Sequence, residues 1–237
     1  MCAIDLTPTP KYTKMLKNGK LRIDASDITN GYFFAGVSEV SSREVRLQVK
    51  HGTTIYNYVL SRYGGLEIIP LQMGSGKYTA ILCERVTGNK YRKIGKLTFN
   101  VKLEDKLAPF RHPNLWVPYY PEIAHGVVGQ KVENYIRYCY AYDYVRAIRI
   151  KAGAMPDILQ CYQKKMGICQ DLAALAVSLW RMFGTPAKLV IGTVGKSKKL
   201  HAWCVIWDEK GREKIFDPTA EILKWDQTGT YKEQRCY

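Results

Sequence analysis

The sequence predicts an α+β protein: a β-rich first half, then helices, then a second group of strands. Three observations carry this. Apolar and polar residues alternate from about Tyr32 to Leu103, as in Val45, Leu47 and Val49 against Arg46, Gln48 and Lys50. The period then lengthens to three and four, most clearly in Leu172, Leu175, Ala176, Leu179 and Phe183. After Gly184-Thr185-Pro186 come three apolar runs, Ala187–Ile191, His201–Trp207 and Lys214–Phe216, which read as buried strands joined by exposed turns.

Residues 1–30 are read as an N-terminal extension. His51-Gly52 turns the first clear strand into Thr54–Leu60, Gly64-Gly65 separates the run at Leu66–Ile69, and Thr87-Gly88-Asn89 joins Lys77–Val86 to Tyr91–Leu103. Five or six strands at this spacing predict a small antiparallel β-sandwich over residues 31–104. Pro109, Pro113, Pro118 and Pro121 sustain neither a ladder nor a helix, so residues 105–121 read as a linker over the surface, and 122–237 as the second domain. There the spacing predicts helices over about 127–144, from Pro156-Asp157 to about Lys165 with Gly167 as its stop, and from the region of Cys169 to Gly184.

The chain has 237 residues, with 36 Lys and Arg against 21 Asp and Glu, a formal net charge of +15. This composition supports a sizeable core and excludes disordered and collagen-like readings. The excess charge is dispersed, and no zinc-finger spacing, RNP-like aromatic strand or basic heptad helix accompanies it, so no specific nucleic-acid partner is expected. No secretory leader pattern and no run of 18 apolar residues is seen, so a cytoplasmic protein with no membrane span is expected. Seven cysteines, an odd number without regular spacing, argue against a disulfide framework.

One of these cysteines stands apart. Cys169 begins an amphipathic helix, where unpaired N–H groups and the helix dipole favour a thiolate over a thiol. Such a nucleophile needs a base, and of the four histidines only His201 opens a buried strand. A third group must hold the imidazole by its other nitrogen, and Asp217, ending the next strand, is placed for that. Each residue alone has an ordinary reading: a small core thiol, a strand-edge histidine, an Asp-Pro turn. A zinc site from Cys161, Cys169, His201 and Cys204 matches no usual ligand spacing, and no Asp/Asn-rich calcium loop occurs, so neither metal nor cofactor is expected.

These residues resemble the transglutaminase-like superfamily, which shares the papain-like cysteine peptidase core. The resemblance runs through Gly167-Ile168-Cys169-Gln170-Asp171 with Leu175, then from Arg181-Met182-Phe183-Gly184-Thr185-Pro186 to Gly192, then His201-Ala202-Trp203 and Asp217-Pro218-Thr219. It covers about 127–220, and the upstream β-rich region looks like the accessory region of bacterial members. It implies amide acyl transfer through a thioester, with Cys169 as nucleophile, His201 as base and acid, and Asp217 as its orienting partner. Hydrolysis is favoured over cross-linking, because no acyl-acceptor site is legible.

The Cys169 N–H and Gln163, six residues upstream, are the oxyanion candidates. Trp203, nearest His201 on a strand face shared with Trp207, is the candidate to shield the thiol–imidazole pair. Two departures stand out: Cys204 puts a second thiol near the site, and the loop with Lys196, Lys198 and Lys199 points to acidic or phosphate-bearing protein or peptide substrates. The alternative is a binding or scaffold protein that keeps the fold without catalysis. The complete triad argues for the enzyme.

Overall fold

The structure is a computed structural model that describes residues 7–151, 153–226 and 229–237. Cys2 and part of the expected extension lie outside the described residues. The chain divides into two compact units, one of residues 8–115 and one built mainly from residues 116–237.

The first unit is built from strands, with 3-10 turns at Ile28–Asn30 and Ala108–Phe110 and a strand-free stretch after Val101. It contains β1 (Met15–Asn18), β2 (Leu21–Asp24), β3 (Tyr32–Val37), β4 (Val45–His51), β5 (Thr54–Leu60), β6 (Glu67–Pro70), β7 (Gly76–Thr87) and β8 (Lys90–Val101). Two four-stranded antiparallel sheets result, in the orders β1-β2-β3-β6 and β5-β4-β7-β8. The alternation in β4 is realised: Val45, Leu47 and Val49 are buried, and Arg46, Gln48 and Lys50 between them are not. Phe33 of β3 and Phe99 of β8 meet ring to ring at 5.2 Å, so the two sheets share one core.

Two expectations for this half are corrected. Residues 15–24 form a strand hairpin rather than an extension, because Leu21 and Ile23, two positions apart on β2, are completely buried in that core. The Pro-rich segment is not draped over the surface: Ala108, Pro109, Phe110, Asn114 and Val117 are buried, as the apolar members of that run require.

The second unit contains α1 (Pro121–His125), α2 (Val132–Cys139), β9 (Ala141–Tyr142), α3 (Tyr144–Ala147), α4 (Ile158–Lys164), β10 (Met166–Gly167) and α5 (Cys169–Met182). Then come β11 (Ala187–Val194), β12 (His201–Trp207), β13 (Glu213–Phe216), α6 (Pro218–Leu223) and β14 (Tyr231–Cys236). The last four strands form an antiparallel sheet in the order β13-β12-β11-β14, and α5 packs on β12 and β11. Every residue of α5 from Asp171 to Met182 is buried, each large apolar side chain contributing about 1.5–3 kcal/mol.

The single helix expected over 127–144 is broken. Gly129 turns left-handed (φ +85°) and Lys131 is extended ahead of α2, while Tyr140 leaves the helix extended. Ala141-Tyr142 then pairs in parallel with Met166-Gly167. This short ladder brings Tyr142 beside the chain entering α5. Likewise α4 stops at Lys165, which takes the left-handed conformation, rather than at Gly167. Glycine at 167 has a different reason: a Cβ there would meet the Cys161 sulfur at 2.7 Å. β14, unexpected from the sequence, pairs with β11 through a register shift at Ile191/Gly192. Among the described residues no helix is long and apolar enough to cross a membrane.

Candidate active site

The thiol is held by the way its helix begins. Asp171, three residues after Ile168, accepts hydrogen bonds from the Ile168 N–H at 3.1 Å and the Asp157 N–H at 2.8 Å, and pairs with the Arg146 guanidinium. Burial pushes the Asp171 carboxyl up against the pull of those bonds. One buried carboxylate thereby ties α3, the entry to α4 and the first turn of α5 together around Cys169, which is half-buried.

The base and its partner come from the sheet. His201 is the first residue of β12, and β13 runs back antiparallel, Phe216 opposite Cys204, to deliver Asp217. Each Asp217 oxygen has its own task. Oδ1 caps α6, accepting from the N–H groups of Thr219 at 3.0 Å and Ala220 at 3.1 Å. Oδ2 accepts from His201 Nε2 at 2.7 Å and from the Tyr231 hydroxyl at 3.0 Å. With Nε2 committed to Asp217, Nδ1 is the ring nitrogen left for the Cys169 side chain, whose proximity helps hold the imidazole in its charged form.

Burial opposes a charge on His201 most strongly, yet the bonds and charges of Asp217 and Cys169 outweigh it, and the imidazolium is held up to about 9. The imidazole side chain is 15% exposed and the Asp217 side chain 2%. Trp203 is buried with its ring nearly parallel to His201, centroids 6.4 Å apart, and meets Tyr231 edge-on at 5.0 Å. Burial and the nearby Asp217 charge push the Tyr231 hydroxyl up, so it stays a donor.

A cleft of about 380 Å³ opens over this group. Cys169, His201, Asp217 and Tyr231 line it, with Tyr142, Val194, Leu200 and Trp225 among its other walls. The sequence-derived residues Cys169, His201 and Asp217 are therefore brought together, with Trp203 packed beneath. Gln163 is not: it stands exposed on α4 and is not among the residues lining the cleft. Cys204 is also turned away, fully buried and donating to the Ala173 carbonyl at 3.4 Å. Of the loop lysines, Lys199 lines the cleft, and so does Asp226.

Tyr231 and Trp225 were not singled out in the sequence, and Tyr142 read there as part of a helical core-and-rim face, whereas it lies in β9. Each reaches the cleft through a long-range pairing or a turn at a helix end, for which no periodicity is a signal. Asp171 was given no role either, although a carboxylate in the first turn of a helix is the signal that could have found it. Among the described residues no group of three or more His, Cys, Asp or Glu side chains is arranged to hold a metal ion.

Residues 128–218 match the family model described as the transglutaminase-like superfamily, a span that holds all three site residues. This segment is a transglutaminase-like domain. The match puts the second unit in a family of thiol enzymes. No curated protein matches the chain. Among solved structures, the chain is similar to a putative cysteine protease from Cytophaga hutchinsonii, with 14% identity, TM-score 0.45, and coverage of 85% of this chain and 74% of that one. It is also similar to the periplasmic domain of TgpA from Pseudomonas aeruginosa bound to ethylmercury, with 13% identity, TM-score 0.39, and coverage of 89% and 76%.

Proposed function

We propose that the second unit is a cysteine amide hydrolase with acyltransferase chemistry, acting on protein or peptide substrates through a thioester on Cys169. The observation that carries this reading is one imidazole held at 2.7 Å by a buried carboxylate and lining the same cleft as the Cys169 thiol.

In the first half-reaction the Cys169 sulfur attacks the amide carbonyl carbon. The C–N bond breaks as the His201 imidazolium gives its proton to the leaving amine, and the thioester remains. In the second, His201 takes a proton from water as the oxygen attacks the thioester, the C–S bond breaks, and the acid leaves. Asp217 holds the ring by Nε2 throughout, so Nδ1 is the nitrogen that exchanges protons. The Cys169 N–H and the Tyr142 hydroxyl are the donors for the carbonyl oxygen as it becomes negative. Burial first, and the nearby Cys169 charge, push Tyr142 up to about 12, so it keeps its proton through the working range. Water is the favoured acceptor over an amine.

The test is the rate of iodoacetamide alkylation of Cys169 between pH 4 and 9, read by peptide mass spectrometry in wild type and in His201→Ala. Faster modification of Cys169 than of exposed Cys139 below pH 7, lost in the variant, is expected. Equal reactivity at both thiols, unchanged by the variant, overturns the reading. A substrate screen with and without added amine then separates hydrolysis from transfer.

A further inference from the structure

The cleft has two unlike walls. One carries the thiol, the imidazole and the carboxylate. The other is apolar and conspicuously uncovered: Leu200 is 59% exposed and Trp225 is 52% exposed, and both line the cavity that Cys169 lines. Both sit close to the end of a regular element. Leu200 is the residue immediately before His201, fixed by the start of β12. Trp225 follows Lys224, whose left-handed conformation (φ +55°) ends α6, and its N–H donates to the Ala220 carbonyl at 3.0 Å. Its ring lies 6.0 Å from the His201 ring, centroid to centroid, so the apolar surface begins where the reacting groups end. Val194 and Ala220 extend it.

Charge gives this cleft little selectivity of its own. Lys199 and Asp226, one of each sign, both line it, so the basic loop before His201 does not make the cavity an anion site. What the cavity offers beside its nucleophile is uncharged surface of aliphatic and aromatic character, which only a matching apolar group can take out of water.

Resting on the reading of Cys169 as the nucleophile, we propose that the site selects acyl donors with a bulky, uncharged apolar side chain next to the reacting carbonyl, seated on Leu200 and Trp225. The carbonyl then faces Cys169 while the side chain covers both residues. Small or charged side chains leave that surface wet.

Acetyl-dipeptide chloromethyl ketones test this, since Cys169 displaces chloride as the C–S bond forms and the label stays on the thiol. Two series are used, with Leu, Phe, Gly, Asp or Lys either adjacent to the ketone or one residue further away. In the whole chain, labelling of Cys169 by the Leu or Phe reagent is expected to be at least about tenfold faster than by the Gly, Asp and Lys reagents in the adjacent series, and a preference confined to the other series overturns the placement beside the carbonyl. That ratio should collapse to within about threefold in Trp225→Ala and in Leu200→Ala, variants that do not touch the thiol. Two changes are made because either alone could disturb the fold.

Iodoacetamide, which carries no side chain, is run in parallel. Fast iodoacetamide labelling with no apolar preference, with a preference for Asp, or with a preference that survives both variants, overturns this inference and leaves the nucleophile standing. Failure of every reagent to label Cys169 faster than Cys139 overturns the nucleophile, and the inference with it.

Discussion

The Tyr231 hydroxyl and the His201 ring converge on a single oxygen, Asp217 Oδ2, at 3.0 and 2.7 Å. Tyr231 comes from β14, the strand opposite Val194, and His201 from β12, so the shared carboxylate locks two strands that are not neighbours in the sheet. Removing the hydroxyl concentrates the carboxylate's charge on the imidazolium. Tyr231→Phe should therefore raise the alkaline limb of the kcat/KM profile, set by His201 at about 9 in the native protein, by about one unit. A limb that does not move would show that Tyr231 does no more than fill space.

Asp217 permits a cleaner separation, because its two oxygens serve different ends. Asn keeps an acceptor for the α6 cap but loses the negative charge, whereas Ala loses both. Asp217→Asn is expected to lower kcat/KM by about 10²-fold or more and to lose the stability that the raised His201 value contributes, a loss that Asp217→Ala shares. Asp217→Ala should show the same loss of activity and a further loss of about 1 kcal/mol in stability. Calorimetry beside initial rates distinguishes them, and equal melting temperatures for the two variants would remove the cap from the account.

His201 also couples stability to pH. Its folded value, about 9, lies above the ordinary 6.5, so the folded chain retains a proton that the unfolded chain releases. This contribution is fully present below about pH 6.5 and is lost as pH rises towards about 9. Urea midpoints measured from pH 6 to 9.5 should fall more steeply for wild type than for His201→Gln. Parallel curves would contradict the raised value.

Gly192 is a packing prediction. It lies opposite His201 on one side and Glu233 on the other, and a Cβ there would come within 2.0 Å of the Lys232 carbonyl oxygen and 2.8 Å of the Trp203 ring. Because one obstacle is backbone, Gly192→Ala should destabilise by about 1–3 kcal/mol. The β11–β14 pairing should also loosen, which accelerated amide exchange in β14 would register. An unchanged denaturation midpoint would show that the strand shifts at no cost.

The helix bearing Cys169 and the strands bearing His201 and Asp217 were legible because local pattern fixes them: three- and four-residue steps in α5, apolar runs bounded by turns, a proline after Asp217. Asp217 is instructive, since its ordinary reading as a turn opener and its reading as the histidine's partner both hold, one on each oxygen. Tyr142 and Tyr231 were not legible, because a two-residue parallel ladder and a distant edge strand put them at the site, and neither leaves a local signature. Gln163 failed for the converse reason. A count of six residues back from Cys169 assumes a continuous path, and the left-handed turn at Lys165 redirects it.

The six residues of α6 start at the carboxylate that holds His201 and stop just short of Trp225. For anyone re-engineering this chain they act as a spindle with a fixed end and an adjustable one. One residue inserted between Thr219 and Leu223 would swing Trp225 by roughly 100° around the helix axis while Asp217 stayed where it is. The shape of the cleft can thus be redrawn from one end of a short helix without rebuilding the chemistry anchored at the other.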